Sequence, residues 1–181
     1  VEVPPQQCCG MPTLLEGDRS TTLRRAGANL ASLGDLMAAG ADIVCSCPTC
    51  GYLLKVLLKE NAHFSEAYQR SIGAPDGEIV VPAEGGSGDI RVRKSMYASI
   101  LEDNGLFAEL GPLERIALSA RVIDLGAYLL DLARLGELDR GLGPINMRLA
   151  YYAPCHQREQ QIGSPYQDLM KMIPGLTLES V

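Results

Sequence analysis

Six cysteines carry the chemistry open to this chain: Cys8, Cys9, Cys45, Cys47, Cys50 and Cys155. Five fall in two tight groups, Cys8-Cys9-Gly10 and Cys45-Ser46-Cys47-Pro48-Thr49-Cys50. Such groups bind soft metals or do thiol redox chemistry, whereas the staples of a small secreted domain are spread through its loops. A Cys-x-x-Cys at a helix start holds two sulfurs on one turn, and the free N–H groups and dipole of that helix end lower the thiol pKa. Thiolate is the metal-binding form, and sulfur-only ligation selects Zn, Cu(I) or iron–sulfur clusters. Adjacent cysteines point apart in an extended strand, so a kinked loop is needed to turn both toward one centre. Gly10 permits that kink.

The elements that must position these sulfurs can be traced along the chain. Val1–Val3 reads as the end of a strand cut short by Pro4-Pro5. Asp18 is the expected N-cap of a helix over 19–38, with Leu23, Ala26, Leu30, Leu33 and Met37 three or four apart and Gly40 as its stop. Residues 41–46 read as a short buried strand, and Pro48 suits the first turn of the helix that follows. The stretch 73–88 is a glycine- and proline-rich loop in which Glu78–Val81 can pair as a small β-element, and 94–120 reads as helical with breaks at Gly105 and Gly111-Pro112. Residues 121–123 enter as an extended segment. Asp124 caps the next helix, whose predicted inner face is Leu125, Leu129 and Leu132, and Gly136 ends it. A strand over 146–153, the Pro154-Cys155-His156 loop, a helix after Ser164-Pro165 and a strand over 176–180 complete the order.

Strands alternating with helices imply an α/β fold, a mainly parallel sheet flanked by helices, with a helical insertion. A β-α-β crossover leaves the carboxyl ends of its two strands on one edge, where ligands sit in open α/β sheets. The two sulfur groups each follow a strand and are joined by a helix, so Cys8, Cys9, Cys47 and Cys50 are expected to meet there. Cys155, also between a strand and a helix, is expected near the same rim. Cys45 lies one strand step from Cys47 on the same face, as a ligand or as a buried thiol.

These motifs resemble the cysteine-rich C-C-G domain family, which includes the B subunit of heterodisulfide reductase and the iron–sulfur C subunit of anaerobic glycerol-3-phosphate dehydrogenase. The family pattern is one Cys, then C-C-G, then C-x-x-C, usually twice. Cys8-Cys9-Gly10-Met11-Pro12 matches the middle element and Cys45–Tyr52 the last. Asp124–Leu130 is similar to the helix before the second repeat, and Tyr151-Tyr152-Ala153-Pro154-Cys155-His156 to the opening of that repeat. The resemblance implies that 1–61 is the end of a first repeat, 62–120 an insertion, and 121–181 a linker helix with the start of a second repeat. The opening Cys of the first repeat would then lie upstream of Val1, and the second C-C-G and C-x-x-C downstream of Val181. It further implies a 4Fe-4S-type cluster on Cys8, Cys9, Cys47 and Cys50, with Cys155 at a second site. In the fragment the cluster would be absent or incomplete, its cysteines open to adventitious disulfides. The implied partner is a flavin-containing dehydrogenase subunit or another redox protein, with a quinone pool or a disulfide as acceptor. The expected location is cytoplasmic, with any membrane association made on the cytoplasmic face through a partner.

Two other chemistries fit the residues: a structural zinc module, and a dithiol–disulfide oxidoreductase using Cys47 and Cys50. Several classes are excluded. The net charge of −6, no Trp and only two Phe argue against a nucleic-acid partner. No apolar run of membrane-spanning length occurs in the sequence. Gly85-Gly86-Ser87-Gly88 lacks the strand before it and the Lys-Ser/Thr after it that a phosphate loop needs. His156 is expected to pack beside its loop, and His63 to be solvated.

Overall fold

A computed structural model of the chain describes residues 1–83, 86, 88–97, 100–139 and 141–180. Gly85 and Ser87 of the glycine-rich stretch, and Ala98 and Ser99 of the expected helical segment, lie outside the described residues.

The N-terminal third is built around α2 (Arg19–Ala38), preceded by the short α1 (Met11–Leu15). Asp18 starts α2, its Oδ1 accepting the Thr21 N–H at 3.0 Å. Gly40, with φ 91°, lies just past the helix end. The expected apolar stripe faces inward: Ala26 and Leu33 are buried, with Leu23, Leu30 and Met37 packed against them.

After β1 (Ile43–Cys45) comes α3 (Pro48–Tyr52), which runs on without a break into a π-helical turn over Leu53–Leu57. There the Leu58 N–H reaches back to the Leu53 carbonyl at 2.8 Å, a wider turn than an α-helix makes. Partners from α6 (Pro112–Arg121) take the carbonyls around it: Ser119 Oγ donates to Leu54 O at 2.7 Å, and Arg115 Nη1 to Leu58 O at 3.3 Å and Glu60 O at 3.4 Å. Arg115 is fully buried and ion-paired to Asp103. Leu53, Leu54, Leu58 and Leu118 close the core between this rod, α2 and α6, together with Cys9 and Met11. Truncating a leucine in such a place costs about 2–5 kcal/mol.

The parallel pairing is present, but among the described residues it is divided among small sheets. β1 pairs in parallel with β4 (Val122–Asp124), placing Cys45 opposite Asp124. β5 (Met147–Tyr151) pairs in parallel with β6 (Leu176–Ser180). Between them, β2 (Glu78–Pro82) and β3 (Asp89–Arg93) form an antiparallel hairpin. The expected strand at Val1–Val3 does not form. Val1 and Val3 are exposed, so they have nothing to bury, and Pro4-Pro5 supply no N–H to a ladder. The crossover predicted between Val1–Val3 and β1 is therefore absent, and the partner of β1 comes from much later in the chain.

Asp124 caps α7 (Leu125–Leu135), accepting from Gly126 N at 2.8 Å and Ala127 N at 3.3 Å, and Gly136 in left-handed backbone ends it. The inner face of α7 is Gly126, Leu130 and Ala133, one position on from the expected Leu125, Leu129 and Leu132. Gly126 sets that rotation. A Cβ there would lie 2.7 Å from the ring of Tyr166, on α9 (Pro165–Met170), so only glycine lets the two helices approach on that side. The remaining helices are short: a 3₁₀ turn at Ala62–Phe64, α4 (Glu66–Ser71), α5 (Lys94–Tyr97) and α8 (Cys155–Arg158).

Candidate metal centre

The two remote sulfur groups come together. Cys9 lies near Cys50 and Cys8, and Cys50 near Cys47, close enough for each neighbour to bear on the other's titration. The C-C-G loop and the C-x-x-C helix thus lie side by side, with Cys9 and Cys50 at their junction. All six cysteines are free thiols.

Local sequence explains each placement. Gly10 takes φ 99°, a left-handed turn that redirects the chain immediately after Cys9 and starts α1. The loop is then fixed to α2 by side chains that the sequence did not single out. Buried Asn29 accepts the Gln7 N–H at 2.8 Å and donates to Gln7 O at 3.2 Å and to Cys8 O at 3.5 Å. Ser32 donates to Pro5 O. Thr22, fully buried, hydrogen-bonds the Thr13 hydroxyl at 2.9 Å, and Thr13 in turn donates to Gly10 O at 2.9 Å. Polar residues on an inward helix face were the available signal, because a buried amide must be satisfied locally.

Cys47 is the residue before the first turn of α3, in extended backbone, with Pro48 at the first helical position. Its thiol is held below the usual range chiefly by the Cys50 N–H, with help from the Thr49 N–H and the Cys50 thiol, against its own burial. Cys9 is pulled down from 9.0 to about 6, first by the Cys50 S–H and then by the Met11 N–H and Cys8, again against burial. Cys50 is pushed well up: it donates to Cys9, it is desolvated, and the charges on Cys9 and Cys47 oppose its ionisation. Cys9 and Cys47 are thus biased toward thiolate and Cys50 toward its neutral thiol. Cys45 is pushed up to about 11, by burial first and then by the charges of Cys47, Asp124 and Cys9.

Cys155 stands apart. It is exposed. Its helix does pack on α3. His156 stacks on Tyr52 with ring centroids 4.9 Å apart and 8° between planes, and its Nδ1 hydrogen-bonds Thr49 Oγ1 at 3.0 Å. Gln160 Nε2 donates to Pro48 O at 3.0 Å, its amide lying so close to Gly51 that a Cβ there would come within 3.1 Å. Residues next to Cys155 therefore brace the C-x-x-C helix from behind. His63 is half-buried rather than solvated, edge-on to Tyr68 at 4.8 Å.

The donor set suits a soft metal, being all sulfur with two groups biased toward thiolate. Among the described residues no group of three or more His, Cys, Asp or Glu closes around a point as a cage for one ion. A mononuclear zinc site needs four ligands converging at about 2.3 Å, while a polynuclear cluster spreads its thiolates over separate iron atoms.

No curated protein and no solved structure matches the chain. Residues 1–55, which contain the Cys8-Cys9-Gly10 loop, α2, β1 and the Cys47–Cys50 helix, match the CCG family, a cysteine-rich domain and the family that the motifs resemble.

Proposed function

We propose that this chain holds an iron–sulfur cluster of the 4Fe-4S type and serves as an electron-transfer subunit of a dehydrogenase or heterodisulfide-reductase-like complex. The observation that carries this reading is the proximity of Cys9 and Cys50: two motifs far apart in sequence bring their thiols into one neighbourhood. The match of residues 1–55 to a cysteine-rich domain found in iron–sulfur proteins supports it. The ligands are Cys8, Cys9, Cys47 and Cys50. The bound cluster supplies one-electron storage; the chain supplies position and environment. Asn29 and Thr22 hold the C-C-G loop, while Pro48 and the N–H groups of Thr49 and Cys50 stabilise thiolate at Cys47. Leu53, Leu54 and Met11 line the inner side and keep water away. Cys45, half-buried and held toward its neutral thiol beside Asp124, acts in this reading as a neighbouring sulfur, and Cys155 belongs to a second site.

The partner is a flavin-containing dehydrogenase subunit or a similar redox protein, on the cytoplasmic side. No described helix is long and apolar enough to cross a membrane, so attachment to one would run through that partner. The test is anaerobic reconstitution of the full-length protein, followed by iron and sulfide assay and EPR. Iron and acid-labile sulfide in equal amounts, with an EPR signal on reduction, are expected. A folded sample without bound iron overturns the reading, and one equivalent of zinc in a colourless sample replaces it with a structural module.

The Cys9–Cys50 contact also favours a second reading, a dithiol oxidoreductase with Cys9 and Cys50 as the pair in place of Cys47 and Cys50. Cys9 is only 6% exposed, which hides that nucleophile from a protein disulfide. Turnover of a small disulfide, lost in both Cys9→Ser and Cys50→Ser, would establish it.

A further inference from the structure

The hairpin of β2 and β3 has two outer edges, and they are finished differently. Lys94 N–H donates to Gly77 O and Ala83 N–H to Gly88 O, each at 2.8 Å. Those bonds fix the phase of the ladder, because inward and outward backbone groups alternate along a strand. Ile90 and Val92 turn their N–H and C=O toward β2, while Asp89, Arg91 and Arg93 turn theirs away. The outward residues of β2 are Glu78, Val80 and Pro82, and their edge is closed. The Gln69 side chain lies along it in place of a strand, accepting the Val80 N–H at 2.8 Å and donating to Val80 O at 2.8 Å. Glu78 N–H donates to Pro75 O at 3.1 Å, and Pro82 has no N–H to offer. On β3, no described residue takes the outward N–H and C=O of Asp89, Arg91 and Arg93.

An open edge is a template for a further strand, and proteins commonly guard one with charge. Here the charges select an occupant. Asp89, Arg91 and Arg93 are exposed, share one face of β3 and have no ion-pair partner among the described residues. An acid stands at one end of this edge and a base at the other. Laid antiparallel on itself about Arg91, the strand sets Asp89 of each copy opposite Arg93 of the other. The outward residues then oppose one another, so every free N–H and C=O of β3 gains a partner. On the other face Ile90, 50% exposed, comes opposite Val92 of the second copy. Arg91 meets its own copy, one like-charge pair against two attractive ones. Centring the pair on Val92 would instead oppose Arg91 and Arg93 twice, and centring it on Ile90 would leave Arg93 beyond the partner strand.

We propose that β3 is a self-association edge, on which a second copy of this chain adds its own β3 antiparallel, joining the two hairpins into one four-stranded sheet about a two-fold axis at Arg91. The surface lies outside residues 1–55 and uses no cysteine, so its outcome is separate from that of the cluster reading.

The test is sedimentation equilibrium of the full-length protein and of two charge-reversed variants, Asp89→Arg and Arg93→Asp. The unsubstituted chain should pass from monomer to dimer as its concentration rises. Each variant alone sets like charges opposite each other at both pairs and should weaken the dimer about tenfold or more. An equimolar mixture of the two variants should associate again, because the acidic edge of one then faces the basic edge of the other. The substituted side chains are exposed, so the core is left untouched. In the unsubstituted protein, amide exchange at Asp89, Arg91 and Arg93 should slow as concentration rises, while Ile90 and Val92 stay protected at every dilution, a readout that needs no variant. A chain that remains monomeric up to about 1 mM, a dimer that both single substitutions leave unchanged, or variants that stay apart on mixing overturns the proposal.

Discussion

Two parts of this molecule present a cysteine after a β-segment and beside a proline, and they end in different states. Around α3, Cys47 and Cys50 are neighbours at the helix start, and Cys9 approaches Cys50 from a distant loop. Around α8, Cys155 follows β5 and Pro154 and stays exposed, while the residues after it pack on α3. The local recipe is similar; the company differs. Cys9 is delivered to α3 because α2 packs on the core and Asn29, Thr22 and Ser32 fix the preceding loop to its face. No corresponding loop is delivered to α8, which instead uses His156 and Gln160 to brace α3. A cysteine motif becomes a multi-sulfur centre only when a second motif is packed against it.

The contrast breaks most sharply by removing sulfurs. Cys9→Ser and Cys50→Ser should reduce iron in reconstituted full-length protein to background at the first site, while Cys155→Ser leaves that site's iron and EPR signal unchanged. Site-resolved EPR with iron assay checks this, and equal loss from all three would erase the distinction between the two regions.

Next in size is the support of the C-C-G loop. Asn29→Ala leaves the Gln7 N–H and the Gln7 and Cys8 carbonyls without their partner, so a loss of about 1–3 kcal/mol in urea unfolding is expected, with faster alkylation of Cys9. Gly10→Ala places its methyl group in ordinary contact with Thr22, the nearest atom being Cγ2 at 3.5 Å, so its cost is backbone strain, about 1–2 kcal/mol.

The thiols also make a pH signature. The folded pKa of Cys9 is lowered from 9.0 to about 6, so its contribution to the metal-free protein is fully present above 9 and is lost as pH falls through 6. Cys45, raised to about 11, works the other way: its contribution is complete below 9 and is lost as pH rises through 11. Cys50 is raised as well and adds to the alkaline loss. Urea midpoints of the apo protein should therefore climb between pH 6 and 9 and decline beyond. The climb should flatten in Cys9→Ser and persist in Cys155→Ser.

The smallest effect belongs to the brace. His156→Ala removes the Tyr52 stack and the Thr49 hydrogen bond and should cost about 1 kcal/mol, leaving Cys9 alkylation slow.

Much of the local structure was legible. The Asp18 and Asp124 caps, the stops at Gly40 and Gly136 and the stripe of α2 follow from side-chain oxygens, left-handed glycine and a 3.6-residue period, all short-range effects. The register of α7 was less so. Leucine spacing alone favoured Leu125, Leu129 and Leu132, but the close approach of Tyr166 to Gly126 turned the helix by one position. At the site, the sulfur groups could be read from residue type, and their supports could not. Asn29, Thr22 and Gln160 are ordinary polar residues until a neighbour's backbone needs them.

The pairing of the two cysteine groups was expected for a reason that the structure replaces. Each motif by itself determined its chemistry: thiols at a helix start, a glycine for the kink, a proline to open the turn. That the motifs meet was decided by tertiary packing, through α2 and its buried polar anchors and through the pairing of β1 with the distant β4. The physical reason is range. Capping and kinking depend on atoms a few residues apart, whereas a parallel β-partner is selected by which buried surfaces fit, and Val122 has a core to enter where Val1 and Val3 have only water.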